Sequence, residues 1–256
     1  MHPVLFKIFG FEIHTYGVFI ATAFLVCTCL AIYLGEKEGI NKDIIFDFIF
    51  YILIFSIIGA RVFYVLINYP FYIKHPINIL KIWEGGLVYY GGLIFAVFAV
   101  IFYKKKYPEI KLFQIGDILL TVLPLGQAIG RFGCLSAGCC YGKPCSLPWA
   151  ITFTNPESLA PVNIPRHPTE IYHSLANILI FLILFTIIRN KRKFLGEITV
   201  LYGMLYSIGR FTVEIFRGDP RGHIFIFSTS QLISIVIFVI SFTAFFVLRK
   251  NSKEEK

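Results

Sequence analysis

The chain has 256 residues, of which 57% are hydrophobic and only 15% are charged. Soluble domains carry about 25% charged residues, so the composition excludes an ordinary soluble domain. The formal net charge of +9 could suggest nucleic-acid binding. The Lys and Arg clusters flank apolar stretches, however, and this placement indicates anchoring to anionic lipid headgroups instead.

Seven apolar segments are predicted to form helices, because about 20 apolar helical residues cross the hydrocarbon core of a bilayer. In chain order they are residues 15–35, 48–73, 85–103, 118–130, 171–188, 198–209 and 224–248. Arg61 interrupts the second segment and Arg131 ends the fourth. The sixth continues through Arg210 and Glu214, and charges in such places face a partner or a wet cavity. We therefore predict an all-α integral membrane protein with seven transmembrane helices.

The distribution of basic residues predicts the orientation of these helices. Of the 24 Lys and Arg residues, 14 fall in alternate connections and at the C-terminus, in residues 35–43, 104–114, 189–196 and 249–256. Cytoplasmic segments carry an excess of Lys and Arg. The pattern places the N-terminus outside and the C-terminus inside.

One connection, residues 130–168, is longer than the others and is rich in Gly, Pro and Cys. Long connections are usually functional or disordered, and the aromatic and proline residues here favour an ordered segment. We predict a single membrane domain, residues 1–256, in which residues 130–168 form a small outer head or lid between the fourth and fifth helices.

Two groups of candidate binding residues precede this head. His14 and Tyr16 lie at the outer start of the first helix, where tyrosine is ordinarily a membrane-interface residue. Tyr90, Gly91 and Gly92 fall within the third apolar segment. Paired glycines permit close packing of helices, and the alternative is close approach of the backbone to a ligand.

The predicted head begins with Arg131 between Gly130 and Gly133, and Gly138 and Gly142 follow. Glycines at this density let the backbone turn at the membrane edge. The planar guanidinium of Arg131 is suited to a phosphate, and the alternative is an interfacial arginine that anchors to headgroups. The surrounding glycines favour a binding site.

Four cysteines, Cys134, Cys139, Cys140 and Cys145, gather in the predicted head. In an oxidising compartment the first interpretation is disulfides. A metal site is the second, although the spacing lacks the C-x2-C pair usual for zinc. A reactive thiol is the third, because the segment is also rich in positive charge.

Arg166 and His167 lie just before Pro168, a residue that suits the start of a helix. Histidine suits proton transfer near neutral pH, although a lone histidine is more often a hydrogen-bonded structural residue.

Arg210, Glu214 and Arg217 share one face if the sixth helix continues through them. Arg210 and Glu214 can then pair, which would hold the buried cation in place. The alternative is an ion pair with a purely structural role. We interpret Glu214 as the residue that orients Arg210 rather than as an acid or base.

Six motifs in this chain resemble those of the prolipoprotein diacylglyceryl transferases, bacterial inner-membrane enzymes that perform the first step of lipoprotein maturation. In order along nearly the whole chain they are H-T-Y-G at 14–17, G-A-R-V-F-Y at 59–64, W-E-G-G-x-x-x-Y-G-G at 83–92, G-R-F-G at 130–133, R-H-P-T-E-I-Y at 166–172 and Y-S-I-G-R-F-x-x-E-x-x-R at 206–217. Each motif alone is weak, but their shared order and the seven-helix pattern make the resemblance specific.

The resemblance implies an activity and its partners. The diacylglyceryl group of phosphatidylglycerol is transferred to the lipobox cysteine of a prolipoprotein signal peptide, which forms a thioether and releases glycerol phosphate. Membrane lipid is the surrounding partner, and no nucleic acid, metal or other cofactor is expected. The implied location is the bacterial cytoplasmic (inner) membrane, as a multi-pass protein.

The resemblance also assigns roles to residues. Those expected to be catalytic are Arg131, Arg210, Tyr16 and Glu214. Those expected to bind substrate are Arg131, His14, Arg61, Tyr90, Gly91, Gly92, Gly142, Arg166, His167 and Arg217. Nearby cations activate a thiol and stabilise a leaving phosphate, so a histidine base is optional and His14 and His167 are candidates for it.

The chain departs from the family pattern at four positions. Tyr90 stands where many members have a histidine, Cys134 and Cys139 where asparagine and glutamate are usual, and His173 where a glutamate is common. Two alternative functions therefore accompany the transferase. One is a membrane thiol oxidoreductase that uses the cysteine cluster, and the other is a phospholipid-binding protein without catalysis.

Overall fold

The computed structural model of the protein describes residues 2–8, 11–82, 85–220, 222–224 and 226–254. Within these ranges the chain forms eight α-helices: α1 (Thr15–Lys37), α2 (Lys42–Ile67), α3 (Tyr69–Lys74), α4 (Tyr89–Lys104), α5 (Leu112–Ala137), α6 (Thr169–Leu182), α7 (Glu197–Glu214) and α8 (Thr229–Glu254). Short antiparallel pairs join β1 (Val4–Ile8) to β2 (Phe11–His14), β3 (Ile151–Thr152) to β4 (Pro165–Arg166), and β5 (His223–Ile224) to β6 (Phe227–Ser228). A 3-10 helix covers Pro76–Leu80.

Among the residues that the structure describes, five helical rods are long and apolar enough to cross a membrane: Thr15–Lys37, Lys42–Ile67, Leu112–Ala137, Thr169–Lys191 and Thr229–Glu254. The fourth of them is α6 extended by a π-helical segment, Ile183–Ile188, and a 3-10 turn. Large apolar side chains along these rods are exposed, among them Leu25 and Leu66. Such a surface requires lipid around it, so the chain is a multi-pass membrane protein. The shorter α4 and the more polar α7 cover the third and sixth predicted apolar segments, but neither is among these five rods.

The chain divides into two compact units. Residues 31–115 form one unit, in which α2 packs closely against α4. A Cβ atom added to Gly91 would lie 2.5 Å from the carbonyl oxygen of Gly59, so these two helices approach to backbone contact. This contact favours the helix-packing interpretation of the paired glycines.

Residues 1–30 and 116–256 form the other unit, which contains α6, α7, α8 and most of α5. Asp117 of α5 is fully buried and ties this helix to the first turn of α7. Its carboxylate accepts hydrogen bonds at 2.8 Å from the backbone N–H groups of Gly196 and Thr199 and from the Thr199 hydroxyl. These are the N–H groups that a helix start leaves unsatisfied, so a side chain from another helix caps α7.

Three predicted boundaries differ from the structure. Helix α5 continues to Ala137, so residues 130–137 are helical and the irregular part of the head starts at Gly138. The second apolar segment breaks after Ile67, because Pro70 lies in the first turn of a new short helix. Helix α7 ends at Glu214, so Arg217 does not share its face with Arg210.

Candidate active site

The end of α5 brings three cysteines together. Gly138 adopts a left-handed conformation with φ of 72°, its N–H bonds to the carbonyl of Leu135, and the N–H of Cys139 bonds to the carbonyl of Cys134 at 3.1 Å. These two bonds form a Schellman motif, which ends a helix by folding the chain back over its last turn. The Sγ atoms of Cys134, Cys139 and Cys140 consequently all lie within 4.8 Å of one another.

The cysteines are free thiols, which disagrees with the interpretation as disulfides. Cys140 has a φ of 70°, a conformation that is costly for a residue other than glycine. The Thr169 hydroxyl fixes this turn by donating a hydrogen bond of 2.7 Å to the carbonyl of Cys140. Hydrogen bonds from the Cys134 and Cys139 thiols, together with the nearby guanidinium groups of Arg217 and Arg131, lower the pKa of the Cys140 thiol below its ordinary value.

The segment after the cysteines pairs with two other parts of the chain. Gly142 forms an antiparallel bridge with Arg217, and Pro144 forms one with Arg166. A Cβ atom at position 142 would lie 2.3 Å from the carbonyl oxygen of His167, so only glycine fits there. The carbonyl of Gly142 also accepts a hydrogen bond of 3.2 Å from Arg166. The predicted site residues Gly142, Arg166, His167 and Arg217 are thus held in one small backbone network.

Arg131 lies on the last turns of α5, partly buried, three residues before Cys134. Its guanidinium is within electrostatic reach of Cys140, Tyr206 and Arg217. Within the part of the chain that the structure describes, it makes no hydrogen bond and no ion pair. Arg131 therefore carries a positive charge near the thiols without a carboxylate to balance it.

Arg210 on α7 is held from three sides. It pairs with the Glu214 carboxylate at 2.8 Å, which confirms the predicted ion pair. It also contacts His173 Nε2 at 2.9 Å and the Ser230 hydroxyl at 2.9 Å. Because a guanidinium only donates, Nε2 of His173 must be the unprotonated acceptor, and this histidine is neutral. Glu214 in turn accepts a hydrogen bond of 2.9 Å from Ser228.

Arg217, just beyond α7, is buried and forms a two-pronged pair with Asp219. Its Nε and Nη2 atoms lie 2.8 Å and 2.7 Å from the two carboxylate oxygens. Bidentate pairs of this kind fix a guanidinium in orientation. The side chain lies beside Cys140, so it contributes positive charge to the thiol cluster.

His167 and Tyr172 form the outer wall of this region. His167 Nδ1 lies 3.2 Å from the Tyr172 hydroxyl, which also accepts a hydrogen bond of 2.9 Å from the indole N–H of Trp149. The His167 ring packs against Phe216 at a centroid distance of 5.1 Å. His167 is thus placed by aromatic packing, whereas His14 is exposed at the end of β2.

Tyr16 lies in the first turn of α1 and is 44% exposed. A Cβ atom at Gly133 of α5 would lie 3.1 Å from Cδ2 of its ring. Gly133, which directly precedes Cys134, thus allows α5 to approach Tyr16. The sequence pattern had instead predicted a turn of the chain at this glycine. The structure brings Tyr16 to the turn of α5 that carries Arg131.

Sequence reasoning missed two buried residues here. Glu170, in the first turn of α6, is 1% exposed, and neither carboxylate oxygen bonds to another described residue. It is within electrostatic reach of Cys140, Arg217 and Arg131. His173, noted only as a departure from the family pattern, contacts Arg210. The glutamate directly before the fifth apolar segment was the available signal for Glu170.

Four predicted substrate-binding residues, Arg61, Tyr90, Gly91 and Gly92, lie in the other compact unit. Arg61 is 7% exposed and donates to five backbone carbonyls, those of Asn78, Ile79, Lys81, Gly85 and Gly86. Tyr90 is 41% exposed and packs on Tyr89. Trp83 and Glu84, which begin the same motif, lie outside the described residues.

Comparison with known proteins places the chain in a family. The profile described as "Prolipoprotein diacylglyceryl transferase" matches residues 3–247. A phosphatidylglycerol–prolipoprotein diacylglyceryl transferase of Clostridium tetani is 38% identical over 96% of this chain and 97% of its own length. Its counterpart in Finegoldia magna is 39% identical over 93% and 92%, and that of Thermotoga petrophila is 38% identical over 98% and 86%. The chain therefore belongs to the prolipoprotein diacylglyceryl transferase family.

Proposed function

We propose that this protein transfers the diacylglyceryl group of phosphatidylglycerol to the cysteine thiol of a prolipoprotein, and that Arg131 binds the phosphate of the lipid. Family membership and the names of the relatives support the reaction. The observation that carries the site assignment is the unbalanced charge of Arg131.

An arginine at membrane depth is costly unless it has a partner. Arg210 and Arg217 have theirs in Glu214 and Asp219. Arg131 has no such partner among the described residues. An anionic ligand supplies what is missing, and a planar guanidinium matches two phosphate oxygens.

Arg210 acts on the leaving group in this proposal. Its position is fixed by Glu214, His173 and Ser230, so no reorganisation is needed when charge develops. Preorganised donors of this kind are worth about 10²–10³ in rate each. Glu214 is the positioning residue for this cation.

The chemical step is a displacement at carbon. The thiolate of the incoming cysteine attacks the glyceryl carbon that carries the phosphate, a C–S bond forms, and the C–O bond breaks. The electron pair leaves on oxygen, and glycerol phosphate is released. A thiol with an ordinary pKa of about 8.5 is mostly protonated at neutral pH, so the positive field of Arg131, Arg210 and Arg217 favours its ionised form.

The acyl chains need an apolar path that starts at this polar site. A groove of about 230 Å³ runs between α7 and α8, lined by Ser207, Ile208, Phe211, Thr212, Ser234, Ile235 and Phe238. It starts one helical turn from Ser230, which bonds to Arg210. We assign this groove to one acyl chain of phosphatidylglycerol.

The remaining predicted residues take supporting roles. Tyr16 lines the site beside Arg131, and Gly142, Arg166, His167 and Arg217 form its outer edge, where the signal peptide with its lipobox cysteine enters. His14 and His167 are candidates for the proton acceptor. Tyr90, which is exposed, is assigned to lipid contact, whereas Gly91 and Gly92 are buried where α4 packs against α2.

The proposed setting is the bacterial inner membrane, with one membrane domain of seven spans. Helices α4 and α7 are the two spans beyond the five apolar rods. With the N-terminus outside and the C-terminus inside, the basic clusters at 104–106 and 189–193 lie in the cytoplasm, as the excess of basic residues on that side requires. The head and Arg131 then face outward, where the precursor is delivered.

The test is transfer of radiolabelled diacylglycerol from phosphatidylglycerol to a lipobox peptide by the purified protein, with release of glycerol phosphate measured in parallel. Wild type, Arg131→Ala and Arg249→Ala are compared, the last removing an exposed arginine near the C-terminal end of α8. Transfer is expected from wild type and Arg249→Ala and is lost in Arg131→Ala.

Two outcomes would contradict the proposal. Binding of phosphatidylglycerol without release of glycerol phosphate would make the protein a lipid binder. Peptide thiol oxidation without lipid transfer would make it an oxidoreductase that uses its cysteine cluster.

A further inference from the structure

The three converging thiols are not explained by the transfer reaction as derived above. Cys134 and Cys139 occupy positions where the family resemblance implies asparagine and glutamate. The Schellman turn at Gly138 brings Cys139 and Cys140 back to Cys134, and all three Sγ atoms lie within 4.8 Å of one another. The hydrogen bond from Thr169 holds Cys140 in its strained backbone conformation.

We propose that Cys134, Cys139 and Cys140 bind a zinc ion through three thiolates, and that the fourth coordination position accepts the cysteine thiol of the incoming prolipoprotein. The second part rests on the function proposed above. The ion would hold that thiol as a thiolate beside the phosphate bound to Arg131.

The geometry fits a tetrahedral thiolate site. A Zn–S bond of about 2.3 Å places tetrahedral sulfur atoms roughly 3.8 Å apart. The Sγ atoms need to move by less than about 1 Å from separations within 4.8 Å. Because the hydrogen bonds of the helix cap already fix the backbone, rotation of the cysteine side chains supplies these adjustments.

The charges fit as well. Three thiolates around a divalent cation leave one net negative charge, and zinc ligands of this type must be deprotonated. The guanidinium groups of Arg131 and Arg217 are both within electrostatic reach of Cys140, so this anionic centre would lie in a positive field. The same cations would repel a bare metal ion, so the thiolates are essential for binding.

The number of donors decides the kind of site. Structural zinc sites are closed by four protein ligands, whereas catalytic sites have three and leave one position for water or substrate. Within the described part of the chain, no fourth Cys, His, Asp or Glu joins the group. Cys145, the remaining thiol of the head, is not a member.

A thiol in the open position would lose its proton to solvent on binding, because metal coordination deprotonates it. Its sulfur then attacks the glyceryl carbon as described above, with the electron pair leaving on the phosphate oxygen. The zinc ion is neither oxidised nor reduced.

The first experiment measures metal binding without reference to catalysis. The full-length protein is purified in detergent under reducing conditions, stripped with a chelator, and titrated with Zn²⁺. Wild type and Cys145→Ser are expected to retain about one ion per chain after desalting, since three thiolates are kept. Cys139→Ser and Cys134→Ser are expected to lose this stoichiometric binding. Wild type that retains no Zn²⁺, or Cys139→Ser that retains it equally, would overturn the site.

The second experiment tests the open position with Co²⁺ in place of Zn²⁺. Adding a lipobox peptide is expected to raise the sulfur-to-cobalt charge-transfer absorbance by roughly one third, because a fourth thiolate joins three. A peptide with serine at the lipobox position is the control. No change with the cysteine peptide, or full transfer activity in the metal-free protein, would overturn the fourth-ligand assignment.

The two proposals fail separately. If zinc binds, the cobalt spectrum responds to the cysteine peptide, and no diacylglycerol is transferred, the metal site stands and the proposed function falls. If transfer proceeds in wild type and equally in the Cys134→Ser/Cys139→Ser double variant, the function stands and the metal site falls.

Discussion

Two arginines on helices of this protein have opposite surroundings. Arg61 on α2 is 7% exposed and donates to five backbone carbonyls of the segment from Asn78 to Gly86. It also packs against the rings of Tyr64 and Tyr72. Arg131 on α5 is partly buried and bonds to no described residue.

The difference separates two uses of a cation inside a membrane protein. The donors of Arg61 are occupied, so it stabilises a loop, and its contacts favour a structural role over the predicted substrate binding. The donors of Arg131 remain available for an anion from outside the chain. The residue type alone does not distinguish a structural arginine from a ligand-binding one, but the number of its donors that are already hydrogen-bonded does.

The sharpest test of this comparison is Arg131→Ala. We expect transfer to fall by roughly 10²–10³ in kcat/KM, because one preorganised donor to the phosphate is lost. The unfolding temperature should not fall, since no described contact is removed. Activity and thermal unfolding of the same detergent preparation provide the measurement. A clearly lower unfolding temperature would show that Arg131 is structural after all.

The counterpart is Arg61→Met, which keeps an apolar side chain of similar length and removes every donor. Unsatisfied buried carbonyls cost about 1–3 kcal/mol each before water relieves some of them. We expect a loss of stability of roughly 3 kcal/mol and residual activity in proportion to the folded fraction. Thermal unfolding and protease resistance measure it. A fully stable variant that no longer binds phosphatidylglycerol would restore the substrate-binding prediction.

Gly142→Ala tests whether the edge of the Arg131 site is as rigid as the loop around Arg61. The added methyl group would lie 2.3 Å from a backbone carbonyl, and such overpacking costs about 1–3 kcal/mol. Gly17→Ala is the matched control, because a Cβ there meets nothing within 4 Å. That helical position should gain about 0.5–1 kcal/mol instead. Equal stabilities for both variants would contradict the geometry of the head.

Glu214→Gln asks whether a paired arginine in the active site tolerates loss of its counter-charge. Arg210 keeps its contacts to His173 and Ser230, so we expect the fold to survive and kcat to drop by about tenfold, roughly 1.4 kcal/mol. KM should change little if Arg210 acts mainly on the leaving phosphate. Steady-state kinetics separate the two parameters. A change confined to KM would indicate that Arg210 binds phosphatidylglycerol in the ground state instead.

The smallest effect concerns the lipid chains. Ile235→Trp narrows the groove between α7 and α8 and should raise KM for long-chain phosphatidylglycerol about fourfold, the equivalent of about one buried methylene group. Val236→Trp, on the neighbouring exposed position, is the control. Identical KM values in both variants would contradict the binding of an acyl chain in this groove.

Local properties of the sequence determined much of the fold. Uncharged runs predicted the start of α1 at Thr15, and the spacing of Arg210 and Glu214 predicted their ion pair. These features depend on residues a few positions apart. They are therefore readable without knowledge of the tertiary structure.

The remaining features depend on contacts between distant segments. Arg217 leaves the helix because its backbone pairs with Gly142, and no helical pattern contains that information. The convergence of Cys139 on Cys134 follows from a left-handed Gly138, while the sequence spacing argued against a metal site. Gly133 was read as a turn residue although it lies in a helix, since a glycine serves equally for a turn and for helix contact.

The buried cap that Asp117 provides has a consequence for the order of biosynthesis. Helix α7 carries Arg210 and Glu214 and is not among the rods apolar enough to enter a bilayer by themselves. It emerges from the ribosome long after α5, whose Asp117 then finds the N–H groups of Gly196 and Thr199. Until then the Asp117 carboxylate lacks these two backbone donors. Integration of α7 is thus coupled to a helix already in place, and a chain truncated before residue 196 leaves the Asp117 carboxylate without the two backbone donors of α7.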